Sequence, residues 1–141
     1  MSGQTGDAAR DRDAGDRMPG VELQTVREAL GLTSEALARL LRVNARTVRA
    51  WEAGRDPIPY RVRSEVEALE AYTAECVEHV VQALLDSRDP EAAIVVYRSD
   101  EQLHAARPGF EDLTARWWRA VAYRAACEVP GTPIVTPPDS A

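Results

Sequence analysis

Between residues 33 and 54, two capping residues and one glycine divide the chain into two very short helices joined by a tight turn. Thr33 offers the side-chain oxygen that accepts an N–H from a helix's first turn, with Glu35 and Ala36 in that turn. Leu37, Leu40 and Leu41 then fall on one buried face. Asn44 is a second cap, after which Val48 and Trp51 point inward and Gly54 ends the helix. Only about three residues around Arg42 and Val43 separate the two, which is the spacing of a helix-turn-helix. Ala38 is small enough for the helices to cross closely, and Val43 and Val48 close the small core from below.

The flanking sequence extends this unit. Residues 1–17 are rich in Gly, Asp and Arg and are predicted to be a disordered leader, with order beginning at Met18, a possible natural start. Leu23, Val26 and Leu30, spaced i, i+3, i+7, predict a helix from about Val21 that Gly31 stops. The prolines of Arg55-Asp56-Pro57-Ile58-Pro59 make a loop. A long helix follows, from about Tyr60 to Leu85. Val62, Val66, Leu69, Thr73, Cys76, Val80 and Ala83 form an a/d seam along it, widened by Val77, Val81 and Leu84.

Asp89-Pro90 breaks that helix, and the apolar run Ala93–Tyr97 is predicted to be a strand. No second strong strand is visible, so its expected partner is the same strand of a second copy. Ser99 caps a short helix to about Ala106, and Pro108-Gly109 turns the chain. Thr114 caps a last helix carrying Trp117, Trp118, Val121, Ala122, Ala125 and Ala126, and the proline-rich tail from Pro130 is expected to be loose. The predicted fold is mainly α. A helix-turn-helix domain (18–59) leads into a dimerisation domain (60–129) of one long helix, one short strand and two further helices, with a flexible tail over 130–141.

Composition narrows the function. The 141 residues are 45% hydrophobic and 28% charged, enough for one compact domain or two small ones sharing a core. Net charge is −6, which argues against a nucleic-acid partner until its distribution is considered. Residues 17–64 carry nine Arg and five acidic residues, whereas residues 65–141 carry six Arg and fourteen acidic ones. Because phosphate attraction acts locally, a basic module joined to an acidic one remains a nucleic-acid footprint. No stretch approaches the roughly 20 apolar residues that span a bilayer, and the N-terminus has no apolar core of a signal peptide. Two widely separated cysteines, Cys76 and Cys127, suit a reduced cytoplasmic protein.

The stretch TVREALGLTSEALARLLRVNARTVRAWEAG resembles the Cro/repressor (XRE-type) helix-turn-helix family, with its lambda-repressor-like fold, over about residues 18–59. Arg27, Gly31-Leu32, Leu37-Ala38, Thr47-Val48 and the Trp51-Glu52-x-Gly54 ending carry the resemblance. It implies a structural pair between Arg27 and Glu52, both scaffold. It also implies that the third helix enters the major groove of double-stranded DNA. Base contacts are then expected from Arg46 and Arg49, each able to take a guanine edge bidentately, with Ala45 and Ala50 against thymine methyls or giving close approach. The family often has Gln at the start of the second helix; Ser34 stands here, and it reaches phosphate but hardly a base. Ser34, Arg42, Asn44, Thr47, Arg55 and Arg61 are the expected phosphate contacts.

One such unit reads one half-site, so a homodimer on a palindromic operator is expected. Val66, Leu69, Val80, Val95, Tyr97, Trp117 and Trp118 are its candidate interface, with the alternative that both tryptophans are monomer core. The long helix, VVYRSDEQL and WWRAVAYRAA also give the chain a layout similar to the anti-CRISPR-associated autorepressors, which implies repression of its own operon through inverted repeats. A second class stays open: an antitoxin-like interaction module that neutralises a protein partner through the acidic half, separable by co-purification. No cofactor is expected. Cys76 and His79 share a helical face, but no spacing links them to His104 or Cys127, so no metal site is expected. No phosphate loop or nucleophile elbow suggests an enzyme.

Overall fold

The computed structural model describes residues 17–138. Within them the order is α1 (Gly20–Ala29), α2 (Ser34–Leu41), α3 (Ala45–Glu52), α4 (Tyr60–Asp86), β1 (Ile94–Val95), α5 (Asp100–Ala106), α6 (Ala115–Glu128) and β2 (Ile134–Val135). Four helices start at a side-chain cap. Thr33, Asn44, Ser99 and Thr114 accept the backbone N–H of Ala36, Thr47, Gln102 and Trp117 respectively. Each acceptor satisfies a donor that has no partner inside its helix.

The first three helices end in the same way, with one departure in residue type. At the end of α1, Gly31 N donates to Glu28 O and Leu32 N to Arg27 O, both at 3.0 Å, with Gly31 at φ 69°. At the end of α3, Gly54 N donates to Trp51 O at 3.1 Å and Arg55 N to Ala50 O at 3.0 Å. Both are left-handed stops of the kind glycine favours. The turn after α2 has the same form, with Val43 N on Ala38 O at 3.0 Å, but its left-handed residue is Arg42, at φ 60°.

A single cluster of buried side chains runs from Met18 through Leu37, Val48 and Trp51 to Val62, Trp117 and Ala125. The long helix α4, about 40 Å at 1.5 Å per residue, packs chiefly on α6. Val62, Val66, Thr73 and Val77 are its buried positions. The a/d seam expected to meet a second copy is therefore buried, at those positions, within the same chain. Val66, Tyr97, Trp117 and Trp118 were expected at a dimer interface; all four are buried within the single chain, the tryptophans to 0% and 2% exposure. Leu69, Val80 and Val95 are only partly covered.

The strand expectation is corrected too. β1 spans two residues and pairs in parallel with β2, Ile94 opposite Ile134 and Val95 opposite Val135. Its partner is the tail of the same chain, not a second copy. Ile94 N donates to Pro133 O at 2.9 Å and Val96 N to Val135 O at 2.8 Å. The pair is parallel because α5 and α6 form the long crossover that such pairing needs. The tail expected to be loose is thus paired at residues 134–135. The expected leader falls almost wholly outside the described residues. Its last member, Arg17, donates to Ile58 O at 3.0 Å and lies 4.2 Å over the Tyr60 ring.

Candidate nucleic-acid interface

The α2–turn–α3 unit presents one face outward because its other faces are consumed. Ala36, Leu37, Ala38 and Leu41 of α2 and Val48 and Trp51 of α3 are buried. Behind them, Arg27 on α1 ties down the end of α3. Its Nε donates to Glu52 Oε2 at 2.7 Å and its Nη2 to Oε1 at 3.0 Å, while Nη1 donates to Leu32 O at 2.9 Å. The two side chains are only 14% and 9% exposed. The pKa of Arg27 is raised chiefly by the Glu52 hydrogen bond, which outweighs the opposing effect of burial. A fork-to-fork pair of this kind fixes angle as well as distance.

Two close approaches set the position of the unit. A Cβ on Gly20 would stand 2.3 Å from Trp51 O and 2.7 Å from Glu52 O, so α1 starts directly against the end of α3. A Cβ on Gly31 would stand 2.8 Å from Arg116 O and 3.1 Å from the Ala120 Cβ, so the stop after α1 is pressed against α6. Glycine is required at both for space, and at Gly31 for φ as well.

The outward edge carries cations. Arg46 and Arg49, the second and fifth residues of α3, are exposed, as are Arg42 before the helix and Arg55 after it. Arg46 makes no ion pair among the described residues. Arg49 does: its Nη1 donates to Glu35 Oε1 at 3.0 Å. Glu35 is exposed, and its carboxyl titrates below the ordinary glutamate value, first through a backbone hydrogen bond and then through Arg49. Sequence reasoning missed this contact, because residues fourteen apart on different helices leave no periodic signal.

Other expected contacts are placed less freely. Ala45, expected on the outward face, packs against the core with part of its surface, and Ala50 is half-buried. Asn44 Oδ1 accepts both Thr47 N at 2.9 Å and Thr47 Oγ1 at 3.0 Å, so these two side chains first serve the helix cap. Ser34 is half-buried at the start of α2. Arg61 is exposed in the first turn of α4 and pairs with Glu65 at 3.1 Å. Glu111 and Asp112, before α6, line a cleft of about 310 Å³ together with Arg39 and Arg42, so the acidic half reaches the flank of this unit.

The molecule is a mainly α protein that presents a short arginine-bearing helix on a packed, otherwise acidic body. Residues 18–127 match the Aca2/YdiL-like family, and the chain belongs to that family. It is also 35% identical over 75 residues to the Aca2 repressor of Pectobacterium phage ZF40. That alignment takes in 52% of this chain and 65% of the relative, just under two thirds of its length.

Proposed function

We propose that the chain is a transcriptional repressor that binds double-stranded DNA sequence-specifically, with α2 and α3 as a helix-turn-helix and α3 in the major groove. The observation that carries this reading is the exposed edge of α3, where Arg46 and Arg49 lie between Arg42 and Arg55 on an immobilised helix. Arg46 and Arg49 read guanine edges, while Ala45 and Ala50 keep the backbone close to the bases. Arg42 and Arg55, with Ser34, Asn44, Thr47 and Arg61, set register on phosphates. A relative named as a repressor supports the same reading. The role is regulatory rather than enzymatic, and it is exercised in the cytoplasm, a setting compatible with two free cysteines.

The active form in this reading is a homodimer that spans inverted repeats in its own promoter, with half-sites about 34 Å apart. The surface suited to dimerisation is a groove of about 630 Å³ where Val80, Ala83, Leu84 and Val95 sit beside the polar His79, Asp89, Glu91 and Arg107. Leu85, near the end of α4, is a further exposed apolar side chain, at 63%. The half-covered Leu69 lies on α4 further back.

Footprinting on the chain's own upstream DNA tests the proposal. Two protected half-sites one helical turn apart are expected, and Arg46→Ala should cost about 1–3 kcal/mol and relax preference at one base pair. Arg55→Ala should weaken all sequences alike. An absence of protection on any duplex would overturn the DNA reading, and a chain that purifies with a bound protein partner would favour the interaction module instead.

A further inference from the structure

Glu35 is a carboxylate on the face where the proposed function needs only positive charge. It stands in the first turn of α2, 60% exposed, and it holds Arg49, itself 53% exposed. An exposed ion pair of this type contributes about 0–1 kcal/mol to stability and pays side-chain entropy for its geometry. The carboxylate also suits the positive end of α2, where it accepts a backbone hydrogen bond, but that local role does not require a partner on α3. Within a helix-turn-helix the carboxylate lies near the phosphate backbone, where it opposes any binding mode that relies on charge alone.

The geometry of the guanidinium makes the pair productive. Arginine has five N–H donors in a planar fork, and Glu35 takes one of them through Nη1. The remaining donors still include a parallel pair for guanine O6 and N7. Paired with Glu35, the guanidinium favours one orientation and swings less readily toward a phosphate. Arg46 has no such restraint among the described residues.

We infer that Glu35 is a positioning residue for operator recognition: it presets Arg49 for a base edge and penalises non-specific phosphate binding. This rests on the proposed DNA-binding function and deepens it. Glu35 reads no base itself. Selectivity at the Arg49 base pair then depends on a residue of α2, whereas selectivity at the Arg46 base pair does not.

The test compares wild type, Glu35→Gln, Glu35→Ala, Arg46→Ala and Arg49→Ala on the footprinted operator, on single-base variants of it and on a random duplex, over a salt series. Both Glu35 variants remove a negative charge and should tighten random-duplex binding about two- to tenfold at low salt, with the gain fading as salt rises. Glu35→Gln keeps an oxygen that accepts from Arg49 and should retain most selectivity. Glu35→Ala should lose about two- to fivefold at the Arg49 base pair alone, and nothing further when combined with Arg49→Ala.

Unchanged selectivity in Glu35→Ala, or equal loss at the Arg46 position, would overturn the inference while leaving the DNA reading intact. Random-duplex affinity that does not change in either variant would overturn the phosphate penalty. A wild type that binds no duplex would overturn both the inference and the reading beneath it. Matching circular dichroism melts for all variants identify a selectivity change as local.

Discussion

The indole of Trp117 donates its Nε1–H to the hydroxyl of Thr73 at 3.0 Å, across the buried contact between α6 and α4. Thr73 in turn donates to Leu69 O at 2.7 Å. One polar residue in an apolar seam therefore orients the largest side chain of the core. Thr73→Val should destabilise the fold by about 1–3 kcal/mol, since it leaves a buried indole donor without an acceptor. Thr73→Ser keeps the acceptor and should cost only about 1 kcal/mol for its lost methyl. Urea denaturation of both variants checks this, and a Val variant no worse than the Ser variant would mean that the hydrogen bond contributes nothing.

Gly31 and Gly54 are both left-handed stops, at φ 69° and 77°, yet only Gly31 has neighbours within reach of a Cβ. Gly54→Ala should therefore cost about 1–2 kcal/mol of backbone strain. Gly31→Ala adds an overlap with the backbone of α6, so its total should be about 3 kcal/mol or more. Chemical denaturation midpoints give the comparison, and equal losses would contradict the close approach.

Arg42 occupies a left-handed position without being glycine, at φ 60° and ψ 43°. Arg42→Gly relieves about 1–2 kcal/mol of backbone strain and adds about 0.4–1 kcal/mol of unfolded-chain freedom, so it should raise stability by about 0.5–1 kcal/mol net. If Arg42 makes the proposed phosphate contact, the same variant should bind operator and random duplex more weakly by a similar factor. Calorimetric melting and a salt titration of binding measure the two effects separately. A variant less stable than wild type would mean that the Arg42 side chain contributes more to packing than the strain costs.

The two cysteines should differ in reactivity. Burial pushes the Cys76 thiol above its ordinary value, only partly opposed by a hydrogen bond with Tyr72, whereas Cys127 is exposed on α6. The thiolate is the nucleophile, so a raised pKa leaves less of it at any given pH. Alkylation near pH 8 should label Cys127 first. The Cys76 rate should keep rising as pH increases beyond the ordinary thiol range of about 8.5. Peptide mass spectrometry over a pH series reads both rates, and faster labelling of Cys76 would contradict its burial.

Local chemistry was the legible part of this chain. Thr33, Asn44, Ser99 and Thr114 announce helix starts because the competition between a side-chain oxygen and a backbone donor is settled within four residues. Gly31 and Gly54 announce stops for an equally local reason. The outward placement of Arg46 and Arg49 followed from the inward turn of Val48 and Trp51, since helical period couples the two faces.

Tertiary structure decided what those elements meet. Periodicity states that a stripe must be buried, but not whether the same chain or a second copy buries it. The seam of α4 therefore looked intermolecular until α6 covered it with Trp117 and Trp118. The partner of β1 was hidden in a proline-rich tail, because two-residue strands carry no alternation to detect. The pairing of Glu35 with Arg49 depends on how α2 and α3 cross, which no local rule encodes. The spacing of two short helices, capped and stopped between residues 33 and 54, was determined by the sequence itself. Which of its arginines is held, and which is free of an ion pair among the described residues, was decided by the packing, because contacts between distant residues exist only once the chain has folded.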